Sequence, residues 1–148
     1  MDIFKREHIS TYNTYLHTPN GDVNLDYFSA AAELLNQIPS KYLGKLASFD
    51  IEHDNVVVRV AKLDGVKPVG MIESVDYNQS KVGIYMFRSI LSMRRFNIDA
   101  TYCSMDRLYT DDNGEVTTTR GPRTTIDAIG MVLQPPAENR HYVKMLFF

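Results

Sequence analysis

The stretch Leu25-Asp26-Tyr27-Phe28-Ser29-Ala30-Ala31-Ala32-Glu33-Leu34-Leu35-Asn36-Gln37-Ile38 decides the fold class. Its apolar residues Leu25, Phe28, Ala31, Ala32, Leu35 and Ile38 recur with the 3.6-residue period of an amphipathic helix. Asn24 is suited to the N-cap, and Pro39 cannot continue a helix. The spacing therefore predicts a helix over 25–38 with one apolar face. Upstream of it, residues 1–24 are polar and aromatic, and Thr18-Pro19-Asn20-Gly21-Asp22 reads as a turn.

Downstream of Pro39 the period changes to two, the signature of strands. Phe49 and Ile51 alternate with Asp50 and Glu52. Asp54-Asn55 then turns the chain into the β-branched run Val56-Val57-Val58-Arg59-Val60-Ala61. Residues 69–77 and 81–87 bracket Asn78-Gln79-Ser80 as a second hairpin. Residues 101–110 and 115–120 bracket Asp111-Asp112-Asn113-Gly114 as a third. Residues 125–133 and 142–148 add two more strands, separated by Pro135-Pro136. The segment 88–96 fits a short second helix through Ile90, Leu91 and Met93, with a bulged strand as the alternative. No period of 20–50 residues recurs, which argues against solenoids and propellers. The expected architecture is α+β in a single domain over 1–148. It is a mostly antiparallel sheet built from hairpins, with the 25–38 helix packed on one face.

Composition bounds the function classes. The 148 residues carry 16 Lys and Arg against 18 Asp and Glu, a net charge of −2. With 44% hydrophobic and 23% charged residues, the chain is neither disordered in character nor broadly basic. The first residues, Met1-Asp2-Ile3-Phe4-Lys5-Arg6-Glu7-His8, mix charges and lack the apolar core of a secretory signal. No apolar run approaches the roughly 20 residues of a spanning helix. The expectation is a cytoplasmic protein without a membrane segment. The single cysteine, Cys103, falls in a predicted strand and is expected to be buried and structural. His8, His17, His53 and His141 show no zinc-like spacing, and no glycine-rich phosphate loop is present, so no cofactor is expected.

Three constellations could carry chemistry. Asp50, Glu52 and Asp54 fall at alternating positions of a predicted strand and could hold a hard cation for hydrolysis, although Asp54 belongs to the turn, and a solvated hairpin face is the simpler reading. The second is the acid-free segment 77–98, which contains Lys81, Arg88, Arg94 and Arg95 with Tyr77, Tyr85, Phe87 and Phe96 interleaved. With Arg120 and Arg123 in a Thr-rich loop, these residues suit phosphate contact and base stacking on a nucleic acid. Arg88, Arg94, Arg95 and Phe96 equally suit a protein interface, where arginine and aromatics concentrate. The third is the apolar end Tyr142–Phe148, whose Phe147 and Phe148 fall on opposite faces and would need cover on both sides. The reading that accommodates most of this is a non-enzymatic interaction or assembly protein. It would be homo-oligomeric or partner-bound, and a small accessory or structural component of a virus or phage fits the same profile. A nucleic-acid-binding accessory protein and a metal-dependent hydrolase are the alternatives.

Overall fold

A computed structural model describes residues 7–9, 25–63, 66–120 and 127–148. Among the described residues, eleven strands run in chain order: β1 (Glu7–Ile9), β2 (Asp26–Ser29), β3 (Leu46–Glu52), β4 (Asn55–Val60), β5 (Gly70–Asp76), β6 (Lys81–Met86), β7 (Ile90–Met93), β8 (Arg107–Thr110), β9 (Val116–Thr117), β10 (Gly130–Gln134) and β11 (Val143–Phe147). They form a five-stranded sheet, β2-β6-β5-β3-β4, and a six-stranded sheet, β1-β7-β11-β10-β8-β9. All pairings are antiparallel except β1 with β7.

The expected helix packed on a sheet is overturned. Asp26–Ser29 is strand β2, paired with β6, and only Ala32–Leu35 (α1) is helical, with no side-chain N-cap. The apolar residues that looked helical serve two other purposes. Phe28 packs edge-on against Phe49, with ring centroids 5.0 Å apart. Ala30 is drawn into a parallel bridge with Val58, and the Ala31 N–H reaches the Val58 carbonyl at 2.9 Å. Tertiary pairing overrides the helix propensity of the alanine run. The short helix expected over 88–96 is likewise a strand, β7, held between β1 and β11.

The two sheets are built to the same plan. In the first, β2 pairs β6, β6 pairs β5, β5 pairs β3 and β3 pairs β4. The chain leaving β2 then bridges β4 in parallel, at Ala30 and Val58. In the second, β7 pairs β11, β11 pairs β10, β10 pairs β8 and β8 pairs β9. The chain leaving β7 bridges β9 in parallel, at Phe96 and Val116. Each unit's strands thus curl until the exit of its first strand meets its third, β4 or β9.

The correspondence extends to single hydrogen bonds. The Gly44 N–H donates to Ile72 O at 2.8 Å and the Ile72 N–H to Lys45 O at 2.9 Å. In the second half, Met105 donates to Val132 O at 2.7 Å and Val132 to Asp106 O at 2.8 Å. Gly44 and Met105 both have positive φ, 87° and 73°. Gly70 and Gly130, sixty positions apart, open β5 and β10. A Cβ on either would stand 2.3 Å from a carbonyl oxygen of the neighbouring strand, Tyr85 or Leu146. Both β5 and β10 then slip register, at Ile72/Ser74 and Val132/Gln134. The described chain contains a structural repeat of about sixty residues: unit 1 (β2–β6) and unit 2 (β7–β11). The repeat is longer than the 20–50-residue periods that define solenoids and propellers.

Two clusters form the core. One fills unit 1, with Ala47, Val58, Ile72, Val82 and Ile84 among its members. The other fills unit 2 and also takes in Leu46, Ala61, Met71 and Tyr85 from unit 1. Successive residues of a strand face opposite ways. Unit 1 therefore lines its own interior with one set of side chains and lends the other set to the core shared with unit 2. β11 lies between β7 and β10, with Val143, Met145 and Phe147 buried.

Candidate interaction site

The units meet along a seam made by the β8–β9 turn of unit 2. Asp111 shapes that turn: its Oδ1 accepts the N–H groups of Asn113 and Glu115, each at 2.8 Å, and its Oδ2 accepts Asn97 Nδ2 at 3.0 Å. Gly114, at φ 77°, lies directly on the end of β4. A Cβ there would stand 2.3 Å from Val60 Cγ1 and 2.9 Å from Ala61 O. The Gly114 carbonyl accepts the Leu46 N–H at 2.8 Å. Arg95 straps the seam from the side. Its Nε bonds Glu115 Oε2 at 3.0 Å, and its Nη1 donates to the carbonyls of Ser40 and Leu43 at 2.9 and 3.0 Å.

A cavity of about 220 Å³ opens beside this turn, lined by Lys41, Lys45, Lys62, Glu33, Asp112 and Asn113 among others. Burial, and then the Arg95 charge, hold the Lys45 ammonium below its usual pKa, while Glu115 and Asp111 pull the other way. Lysines of unit 1 and the acidic turn of unit 2 thus share the walls of one cavity. The volume is below the roughly 300–1,000 Å³ of small-molecule sites.

Asp50 and Glu52 of the β3–β4 hairpin both lie against a cation of the chain itself. Arg59 Nε stands 2.8 Å from Asp50 Oδ2, an ion pair without hydrogen-bond alignment. Its Nη2 is 3.3 Å from Glu52 Oε2, and its Nη1 is 3.9 Å from Glu33 Oε1. Glu52 Oε1 also accepts the Ala32 N–H at 3.2 Å, at the start of α1. Asp54 is not on that face but in the turn, at φ 64°. Among the described residues, no group of three or more His, Cys, Asp or Glu side chains is placed to hold a metal ion.

The basic segment is not gathered into one patch. Lys81 opens β6 and Arg88 lies two residues past its end, roughly 20 Å away along the strand. Arg94 is exposed beyond β7, whereas Arg95 turns inward to the seam. Phe96 packs edge-on against Tyr102 at 5.2 Å. Arg120 lies over the Tyr109 ring at 5.9 Å, and Arg123 falls outside the described residues. Phe147 is core, stacked on Phe87 at 4.4 Å, while Phe148 is exposed. The cysteine expectation is corrected: Cys103 is exposed, in the loop before β8, because the strand predicted from Thr101 begins only at Arg107.

Sequence reasoning missed the seam and the repeat. The signal for the repeat lies in Val69-Gly70-Met71-Ile72 and Ile129-Gly130-Met131-Val132, two matching quartets sixty residues apart. No protein-family model matches the chain, and no curated protein matches it. Among the described residues, no helix is long and apolar enough to cross a membrane.

Proposed function

We propose that this chain is a non-enzymatic assembly module that associates with itself. The observation that carries the reading is the tip of the β3–β4 hairpin. There Ile51 and Val56, direct cross-strand partners, are 69% and 59% exposed. Apolar side chains paired at a protruding tip cost hydration free energy that a partner surface recovers, at about 25 cal/mol per Å² covered. The polar clusters support the same reading, because the Arg59 and Arg95 networks tie elements of the chain to one another. The nucleic-acid reading has less support, since its cations stand apart and Arg95 is engaged.

Size-exclusion chromatography with light scattering across a hundredfold range of concentration tests the proposal. The mean mass should rise with concentration. A mass fixed at one chain throughout overturns it.

A further inference from the structure

The seam between the units is heterologous: the surface that unit 2 offers differs from the surface that unit 1 offers. Unit 2 brings the acidic β8–β9 turn. Unit 1 brings the row Leu46–Met71–Tyr85, in register across β3, β5 and β6, together with the lysines of the shared cavity. That row is 1% exposed or less. Because the units share one plan, each half of this interface has a counterpart elsewhere in the molecule. The counterpart of the row is Arg107–Met131–Leu146, in register across β8, β10 and β11. It is less covered than the first row, with Arg107 exposed and Met131 and Leu146 half-buried. Beside it, Met105, the counterpart of Gly44, is 65% exposed. The counterpart of the docked turn is the β3–β4 hairpin, which runs three cross-strand pairs beyond Phe49–Val58 and ends in the exposed Ile51, Val56 and Asp54. A heterologous contact with both complementary surfaces open propagates or closes into a ring.

We propose that a second copy of this chain docks head to tail. The β3–β4 tip of one copy lies on the Met105/Arg107/Met131/Leu146 face of the next, repeating between molecules the contact that joins unit 2 to unit 1 within one. The inference rests on the self-association reading and specifies its surface. Charge follows the same sense in both places. Inside the chain, Asp112 shares a cavity lining with Lys41, Lys45 and Lys62, and the charges of Asp111 and Glu115 act on Lys45. Between chains, the Asp54 turn meets Arg107 and Arg120, both exposed. The tip supplies Ile51 and Val56 to an apolar row that is the equivalent of one already buried by the fold.

The test uses the full chain and two variants changed only at exposed side chains. The tip variant carries Ile51→Lys and Val56→Lys; the face variant carries Met105→Asp and Arg107→Glu. Thermal melting verifies that both fold, and Val56→Lys alone replaces the tip variant if the pair melts early. Each variant by itself should associate at least about tenfold more weakly than the parent, the effect of losing an interface anchor. An equimolar mixture should form a dimer of one tip variant and one face variant and nothing larger, since a single intact contact remains between them. A parent that associates while the mixture stays monomeric, or variants that associate as the parent does, overturn the head-to-tail contact and leave self-association standing. A parent monomeric at every concentration overturns both.

Discussion

Gly70 and Gly130 show how one missing atom sets the geometry of each sheet. Each lies where the strand passes so close to its neighbour that a Cβ would sit 2.3 Å from backbone oxygen. Backbone cannot yield as a flexible side chain can, so Gly70→Ala or Gly130→Ala should destabilise by roughly 2–4 kcal/mol, measured by urea unfolding. Tyr102 gives a prediction with a pH signature. Its hydroxyl bonds to the carbonyls of Asn97 and Val116 at 2.7 and 3.1 Å. Burial, then the charges of Asp111 and Glu115, raise its pKa above the usual value. The folded phenol therefore keeps its proton after the unfolded one ionises near pH 10, so stability falls as pH rises above that point, by about 1.4 kcal/mol per pH unit. Tyr102→Phe should remove this alkaline loss and cost roughly 1–2 kcal/mol at neutral pH. Lys45 has the opposite sign. Its folded pKa is depressed, so stability climbs with pH between that depressed value and the unfolded value of 10.5. Lys45→Met should flatten the climb in melts recorded across that range.

Among the elements, the hairpins were legible in sequence and the helix was not. Asp54-Asn55, Asn78-Gln79-Ser80 and Asp111–Gly114 announce their turns through residues that tolerate positive φ, and His53, Asp54, Ser80 and Gly114 all adopt it. The 25–38 segment misleads because six apolar residues at helical spacing also satisfy a short strand, a bridge and a single helical turn. Nothing local reveals that β6 waits more than fifty residues on. The carboxylate face of β3 was legible, yet its partner Arg59 could be found only by working the Asp54-Asn55 turn through to the cross-strand diagonal. Arg95 carries the element-scale prediction. It joins β7's exit to the turn before β3 and to Glu115, so Arg95→Met leaves two carbonyls and a carboxylate without their donor. A loss of roughly 2–3 kcal/mol is expected in thermal or urea melts.

For the whole molecule, the shared core means that unit 2 is completed by Leu46, Met71 and Tyr85 of unit 1. The chain should therefore unfold in one cooperative transition, with calorimetric and van't Hoff enthalpies in agreement, and two separated transitions would contradict the shared core. The repeat that organises this scale was hidden in sequence, since matching backbone plans are filled by dissimilar side chains. Leu46 corresponds to Arg107 and Gly44 to Met105, while the glycine quartets and the bridging Val58 and Val116 share their chemistry.

The position of β11 has a consequence in time. A ribosome makes protein in one direction, and domains generally fold as units during synthesis. Unit 1 has all five of its strands once Met86 has emerged, and can curl while the rest is being made. Unit 2 cannot, because β11, the strand at the middle of its sheet, is synthesised after both neighbours, β7 and β10. Until it arrives, those two strands present unpaired edges toward each other, and unit 1 holds its apolar row open to receive them. The nascent chain thus passes through a stage in which its most adhesive surfaces face an empty slot, and the last strand of unit 2 is the one that fills it.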